Sequence, residues 1–167
     1  MTDTWNSDVF EIAKKIIELK YKYDFTFIIN DYVDVAAEVG ADGVHVGAND
    51  LTIADVHNRI GKGFITGYSS HTIDEAISAE KMGADYIAFG AIFPTKTKGP
   101  GHPVQGIDKL KNLVETVKSP VVAIGGINRT NIDEVISTEV SSVAMITGIT
   151  QAENIVEEVK WYTSKFS

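Results

Sequence analysis

Six short apolar runs, separated by stretches of helical periodicity, constrain this chain more than anything else in its sequence. The runs are residues 25–29, 43–46, 64–67, 86–89, 120–124 and 143–146. Their apolar residues are continuous rather than alternating, as in strands buried on both faces. The helical periods between them run to about ten residues, the spacing of βα units on a parallel sheet. Ser7 opens a first helix whose apolar face is Val9, Ile12, Ala13, Ile16 and Ile17. Later helices are expected over 34–39, after Thr52 with Asp55 three residues on, and after Thr72 with Glu75 in the capping-box position. Three more follow near 107–117, from Asn131, and over 152–165.

An internal echo supports the repeating unit. Gly40-Ala41-Asp42-Gly43-Val44 returns as Gly83-Ala84-Asp85-Tyr86-Ile87, each joining a helix end to the next strand. Glycine suits the left-handed residue that stops such a helix. A doubly wound sheet would carry Gly-x-Gly-x-x-Gly after its first strand, and that fingerprint is absent. Polar or glycine residues instead follow nearly every strand: Asn30-Asp31, Gly47, Ser69, Gly90, Gly125-Gly126 and Thr147-Gly148. That is the layout of a (β/α)8 TIM barrel, whose site lies at the C-terminal ends of its strands. With six strands in place of eight, the expected architecture is a truncated barrel of about six βα units, one domain over residues 1–167.

Composition narrows the function. Apolar residues make up 44% and charged residues 23%, the balance of an ordinary globular protein. No apolar run approaches the roughly 20 residues of a membrane span, and the N-terminus lacks the pattern of a secretory leader. With no cysteine, disulfides and thiolate zinc sites are excluded, which fits a cytoplasmic address. A net charge of −8 argues against a nucleic-acid surface. It also repels phosphate, so any phosphate ligand must be held by local donors and a cation. The segment 89–106 supplies such donors, with two threonines, two lysines and four glycines after an apolar strand.

Phe93-Pro94-Thr95-Lys96-Thr97-Lys98 in that segment resembles the signature loop of the thiamine phosphate synthase and thiazole tautomerase (TenI) family. The resemblance extends in colinear order through Ile28-Ile29-Asn30-Asp31, Gly43-Val44-His45-Val46-Gly47 with Asp50, and Ser69-Ser70-His71-Thr72. It continues through Ala123-Ile124-Gly125-Gly126-Ile127 and Val143-Ala144-Met145-Ile146-Thr147-Gly148-Ile149. It implies that Asp31 and Asp50 hold a magnesium ion bridging a diphosphate. A pair of carboxylates with water and phosphate oxygens suits that ion, although both aspartates could also cap helices. It implies that Asn30, Ser69 and Lys98 contact the diphosphate of a pyrimidine substrate, all three being able to donate to phosphate oxygens. Thr95, Lys96, Thr97, Gly126, Ile146 and Thr147 match contacts of a thiazole phosphate. Gly125-Gly126 would let backbone approach closely, and the following loops would offer N–H groups at helix N-termini. Lys98, Ser69 and His71 are the candidate catalytic residues, with His71 matching the proton carrier proposed for the tautomerase branch. His45, inside a strand, reads as packed and hydrogen-bonded; His57 and His102 read as surface residues.

The family pattern is incomplete. Members begin with a strand, a helix and a second strand ending in Gln-x-Arg-x-Lys, and this chain starts at the helix after that point. The absent arginine and lysine would pair with the diphosphate. Tyr32 stands where synthases usually have arginine, and Asn49 where glutamate usually precedes the second metal aspartate. The leading expectation is a synthase-like transferase of thiamine biosynthesis that joins hydroxymethylpyrimidine diphosphate to thiazole phosphate and releases diphosphate. The alternatives are a thiazole tautomerase, or a truncated, non-catalytic phosphate-binding or regulatory protein. The first and last strands would be open edges, which predicts a homo-oligomer in which a second copy covers the gap.

Overall fold

The computed structural model describes residues 4–95 and 103–166, and every strand pairing in it is parallel. The chain divides into two compact units, Met1–Ser69 with Ser78–Tyr86, and Ser70–Ile77 with Ile87–Ser167. The first unit holds strands β1 (Ile28–Asn30), β2 (Gly43–Val46) and most of β3 (Ile65–Ser70), with helices α1 (Ser7–Ile17), α2 (Val33–Val39) and α3 (Ile53–Ile60). In register, Ile28 faces Gly43 and Gly43 faces Ile65. Helix α4 (Ile73–Met82) carries residues of both units. The second unit holds β4 (Tyr86–Phe89) apart from Tyr86, then α5 (Gly106–Thr116), β5 (Val121–Ile124) and α6 (Ile132–Ile136). It ends with β6 (Ser142–Ala144), α7 (Thr147–Thr150) and α8 (Ile155–Thr163). Ile87 faces Val121, and Val122 faces Ser142. The α/β class and all six strands expected from the sequence are present.

Each unit has its own apolar centre. In the first, Val33, Val35 and Ala36 of α2 are buried with Val44 and Val46 of β2 and Ile53 and Val56 of α3. In the second, Ile87 and Phe89 of β4 are buried, as are Leu110 and Leu113 of α5, Ala123 of β5 and Ile132 and Val135 of α6. Burial on successive positions of β2 and β4 is what continuous apolar strands require.

The repeated Gly-Ala-Asp segment makes the same corner twice. Gly40 and Gly83 are left-handed, with φ of 70° and 95°. The N–H groups of Ala41 and Ala84 then reach back to the carbonyls of Ala36 and Ala79, both at 3.0 Å, closing the helix end. The aspartate does the rest. Asp42 donates its N–H to Phe27 O at 2.9 Å and accepts the Phe27 N–H on its carboxylate at 2.6 Å. Asp85 makes the same reciprocal pair with Thr66, at 2.8 and 2.7 Å. In the second unit Glu139 takes the glycine's place with φ 65°, and the Ser141 N–H reaches Val121 O at 3.0 Å.

Several boundaries differ from the sequence expectation, each for a local reason. Helix α1 is capped by Asn6, whose side chain accepts from the N–H groups of Asp8 and Val9 at 3.0 Å; Ser7 is the first helical residue. Only Ala13 of the expected apolar face is buried, and Ile12 is exposed. Strand β1 starts at Ile28 rather than Phe25, because the Phe27 backbone is committed to Asp42. Strand β3 runs on to Ser70, so Ser69 belongs to the strand and not to the loop after it. Strand β6 stops at Ala144, since the Ile146 carbonyl accepts from Ile149 and Thr150 in the one-turn helix α7. Helix α8 begins at Ile155 and not at Ala152, set by the Asn154 side chain capping Glu157 N–H at 3.2 Å. The Thr52 and Thr72 caps form as expected, with each hydroxyl accepting a backbone N–H three residues on at 3.1 Å. Glu75 closes its side of the cap on the N–H of His71, 2.7 Å away, instead of Thr72.

Candidate functional site

In the first unit the candidate residues gather at the C-terminal ends of three neighbouring strands. Asn30 is the last residue of β1, is exposed, and lies opposite His45 in register. Asp31 follows with φ 65°, and its N–H donates to the His45 carbonyl at 2.9 Å. A left-handed aspartate costs energy that glycine would not. Asp50 lies beyond β2, and its carboxylate accepts the Gly47 N–H at 2.9 Å. A Cβ placed on Gly47 would sit 3.3 Å from that carboxylate and 3.7 Å from Cβ of Ser69. Asp50 and Ser69 therefore converge on one small patch of bare backbone, and glycine keeps it open.

Ser69 is tied inward. Its hydroxyl lies 2.7 Å from Nε2 of His45, whose Nδ1 lies 2.9 Å from the Tyr86 hydroxyl. The His45 and Tyr86 rings stack with centroids 5.4 Å apart. Burial pushes the Tyr86 phenol above its usual pKa, so it keeps its proton. Gly67 makes the pair possible, because a Cβ there would lie 2.1 Å from Cζ of Tyr86 and 2.5 Å from Nδ1 of His45. The packed, hydrogen-bonded reading of His45 holds. Its connection to Ser69 and Tyr86 was not foreseen, although a lone glycine inside a strand signals close approach of another group.

Asp31 and Asp50 fit magnesium by their chemistry. Among the described residues no group of three or more His, Asp or Glu stands together. A two-carboxylate set is what magnesium uses when phosphate and water fill its other positions.

In the second unit the Gly125-Gly126 corner organises the candidate residues. Both glycines have positive φ, 99° and 69°. A Cβ on Gly125 would lie 2.6 Å from that of Ala91, and one on Gly126 would lie 2.7 Å from Pro94 O. What approaches this corner closely is therefore the chain's own segment leading to Thr95, with Ile92 and Phe93 donating to Ile124 O and Gly125 O at 3.0 Å. Thr95, Gly125, Gly126, Ile146 and Thr147 all line one cleft, walled also by Ala91, Ile124 and Met145. A neighbouring cleft adds Asn128 and Gln151 around the same Thr95, Gly126 and Thr147. Neither residue stood out in the sequence, since single amides in loops carry no spacing signal.

His71 lies just beyond β3. Its Nδ1 is 3.0 Å from the Gly90 carbonyl, which can only accept, so that nitrogen carries the proton and the neutral ring's lone pair is on Nε2. Lys96, Thr97, Lys98 and His102 lie outside the described residues. No helix among the described residues is long and apolar enough to cross a membrane.

The chain is similar to known proteins over most of its length. The profile of the family described as "Thiamine monophosphate synthase" matches residues 2–149. The thiamine-phosphate synthase of Clostridium acetobutylicum is 41% identical over 153 residues, covering 92% of this chain and 72% of that protein. That of Pyrococcus furiosus is 44% identical over 148 residues, covering 89% and 70%. The solved structure of a thiamine phosphate pyrophosphorylase from Pyrococcus furiosus superposes with a TM-score of 0.85 at 40% identity, covering 95% of this chain and 77% of that one. A 3-hexulose-6-phosphate synthase structure, at 16% identity and a TM-score of 0.69, shares the fold.

Proposed function

This chain belongs to the thiamine monophosphate synthase family, and we propose that it couples hydroxymethylpyrimidine diphosphate to thiazole phosphate in thiamine biosynthesis. A bond forms between the thiazole nitrogen and the pyrimidine methylene carbon, and the bond from that carbon to the diphosphate oxygen breaks. The observation that carries the reading is the gathering of Asn30, Asp31, Asp50 and Ser69 at the ends of β1, β2 and β3. In this reading Asn30 and Ser69 donate to diphosphate oxygens and orient the leaving group. Asp31 and Asp50 hold magnesium, which when bound neutralises charge on the diphosphate. Lys98 adds a further cation to the departing group, and Lys96 and Thr97 join Thr95 on the thiazole phosphate. The cleft at Thr95, Gly125, Gly126, Ile146 and Thr147 takes that second substrate.

Calorimetry with each ligand separately tests the assignment. The pyrimidine diphosphate should bind only with magnesium, and thiazole phosphate should bind without it. Loss of the magnesium requirement would remove Asp31 and Asp50 from the proposal.

The His71–Gly90 contact supports a second reading, thiazole tautomerase, in which Nε2 of His71 moves the proton. His71→Asn should then lower turnover by about 10²–10⁴-fold while the chain stays folded. Retained tautomerase activity would exclude it. We further propose a cytoplasmic homo-oligomer that acts on small phosphate substrates without nucleic acid or membrane. Exposed Ile155 and Val156 on α8 support association, and a monomer by light scattering would refute it.

A further inference from the structure

The half-buried pair His45 and Tyr86 stands directly behind the Ser69 hydroxyl, with Nε2 of His45 2.7 Å from it and the Tyr86 hydroxyl 2.9 Å from Nδ1. We propose that Tyr86 and His45 are positioning residues, forming a chain Tyr86 O–H to Nδ1 of His45 and Nε2–H of His45 to Oγ of Ser69. That chain leaves the Ser69 proton for an anionic oxygen. The proposal rests on the reading of Ser69 as a diphosphate contact and extends it to two residues that touch no substrate.

The argument is one of donors and acceptors. A neutral imidazole has one N–H and one lone pair, so the two contacts of 2.9 and 2.7 Å cannot both be donated by the ring. If Nδ1 held the proton, Nε2 would accept the Ser69 hydroxyl proton, and the serine would meet a phosphate oxygen lone pair to lone pair. If Nε2 holds it, the serine oxygen is satisfied as an acceptor and its own proton is free to turn outward. Tyr86 decides between these arrangements. Its phenol is partly buried and stays protonated. The imidazole nitrogen is a better acceptor than donor toward a phenol, so Tyr86 donates to Nδ1 and the proton is left on Nε2. Gly67 keeps the arrangement sterically possible, since any side chain at that position would overlap both rings.

Two measurements test this. Nitrogen-15 NMR of the wild-type chain, with the His45 signals assigned by their loss in His45→Gln, should show a protonated Nε2 and a bare Nδ1. A protonated Nδ1 overturns the proposal outright. Titration with inorganic diphosphate and magnesium then reads the consequence in a cycle of Tyr86→Phe, Ser69→Ala and the double variant. Tyr86→Phe should weaken diphosphate binding by about 3- to 10-fold, the worth of one oriented hydrogen bond, and should cost nothing further in the Ser69→Ala background. Equal losses in both backgrounds, or no loss in the first, would show that Tyr86 does not act through Ser69. A wild-type chain that binds no diphosphate would defeat the proposed function and the anion role of Ser69, while the tautomer still decides the direction of the proton chain.

Discussion

Gly67→Ala is the substitution that tests the packing of His45 against Tyr86 most directly. In a strand interior, alanine for glycine ordinarily stabilises by about 0.5–1 kcal/mol, because the unfolded chain has less freedom to lose. At Gly67 the added methyl would lie 2.1 Å from Cζ of Tyr86, 2.4 Å from its hydroxyl and 2.5 Å from Nδ1 of His45. Carbon atoms in contact sit about 3.5–4 Å apart, so one ring must leave by well over an ångström. Overpacking of this kind costs about 1–3 kcal/mol, and breaking the His45–Tyr86 hydrogen bond adds about 0.5–1.5 kcal/mol. Set against the ordinary gain, a net loss of about 0.5–4 kcal/mol should lower the melting temperature by about 1–15 °C in a chain of this size. Thermal unfolding followed by circular dichroism reads it directly. Gly63→Ala is the control: its Cβ would meet nothing within 4 Å, so that variant should match or slightly exceed the wild type. A Gly67→Ala chain as stable as the Gly63→Ala control would refute the packing of the three-residue cluster.

Asp31→Gly relieves a left-handed backbone and should raise stability by about 1 kcal/mol while abolishing magnesium-dependent diphosphate binding; calorimetry and urea unfolding on the same variant check both halves. Glu139→Gly, at the same kind of backbone but outside either cleft, should gain about as much stability with no change in ligand binding. The acid limb of the stability curve should depend on Asp42, whose carboxyl is held below its ordinary 3.8 by the Lys20 ammonium and then by the Phe27 N–H. A lowered folded-state pKa means its contribution is complete above 3.8 and is lost as pH falls through the folded value. Asp42→Asn should therefore be less stable than wild type at about pH 6, with the difference closing below about pH 4.

Much of this was legible because the repeating βα unit writes itself into short-range chemistry. The apolar runs at 43–46 and 86–89 became strands with those bounds, and Thr52 and Thr72 became caps. The Gly-Ala-Asp echo announced two identical corners, though it did not say that Asp42 and Asp85 would clamp the preceding strands. That clamp is why β1 starts three residues later than apolar content suggests. Asp31, Asp50 and the glycine pair could be read from a motif, whereas the His45–Ser69–Tyr86 chain could not. It joins residues up to 41 positions apart, and only Gly67 hinted at it. Asn128 and Gln151 entered the cleft through loop geometry that no periodicity encodes.

Phosphorus-31 NMR of the wild-type chain incubated with hydroxymethylpyrimidine diphosphate, thiazole phosphate and magnesium tests the central claim most directly. The synthase reading predicts that inorganic diphosphate and thiamine phosphate appear together in equal amounts, and only when both substrates and the metal are present. Intact substrates after prolonged incubation, with thiazole phosphate bound, would contradict it.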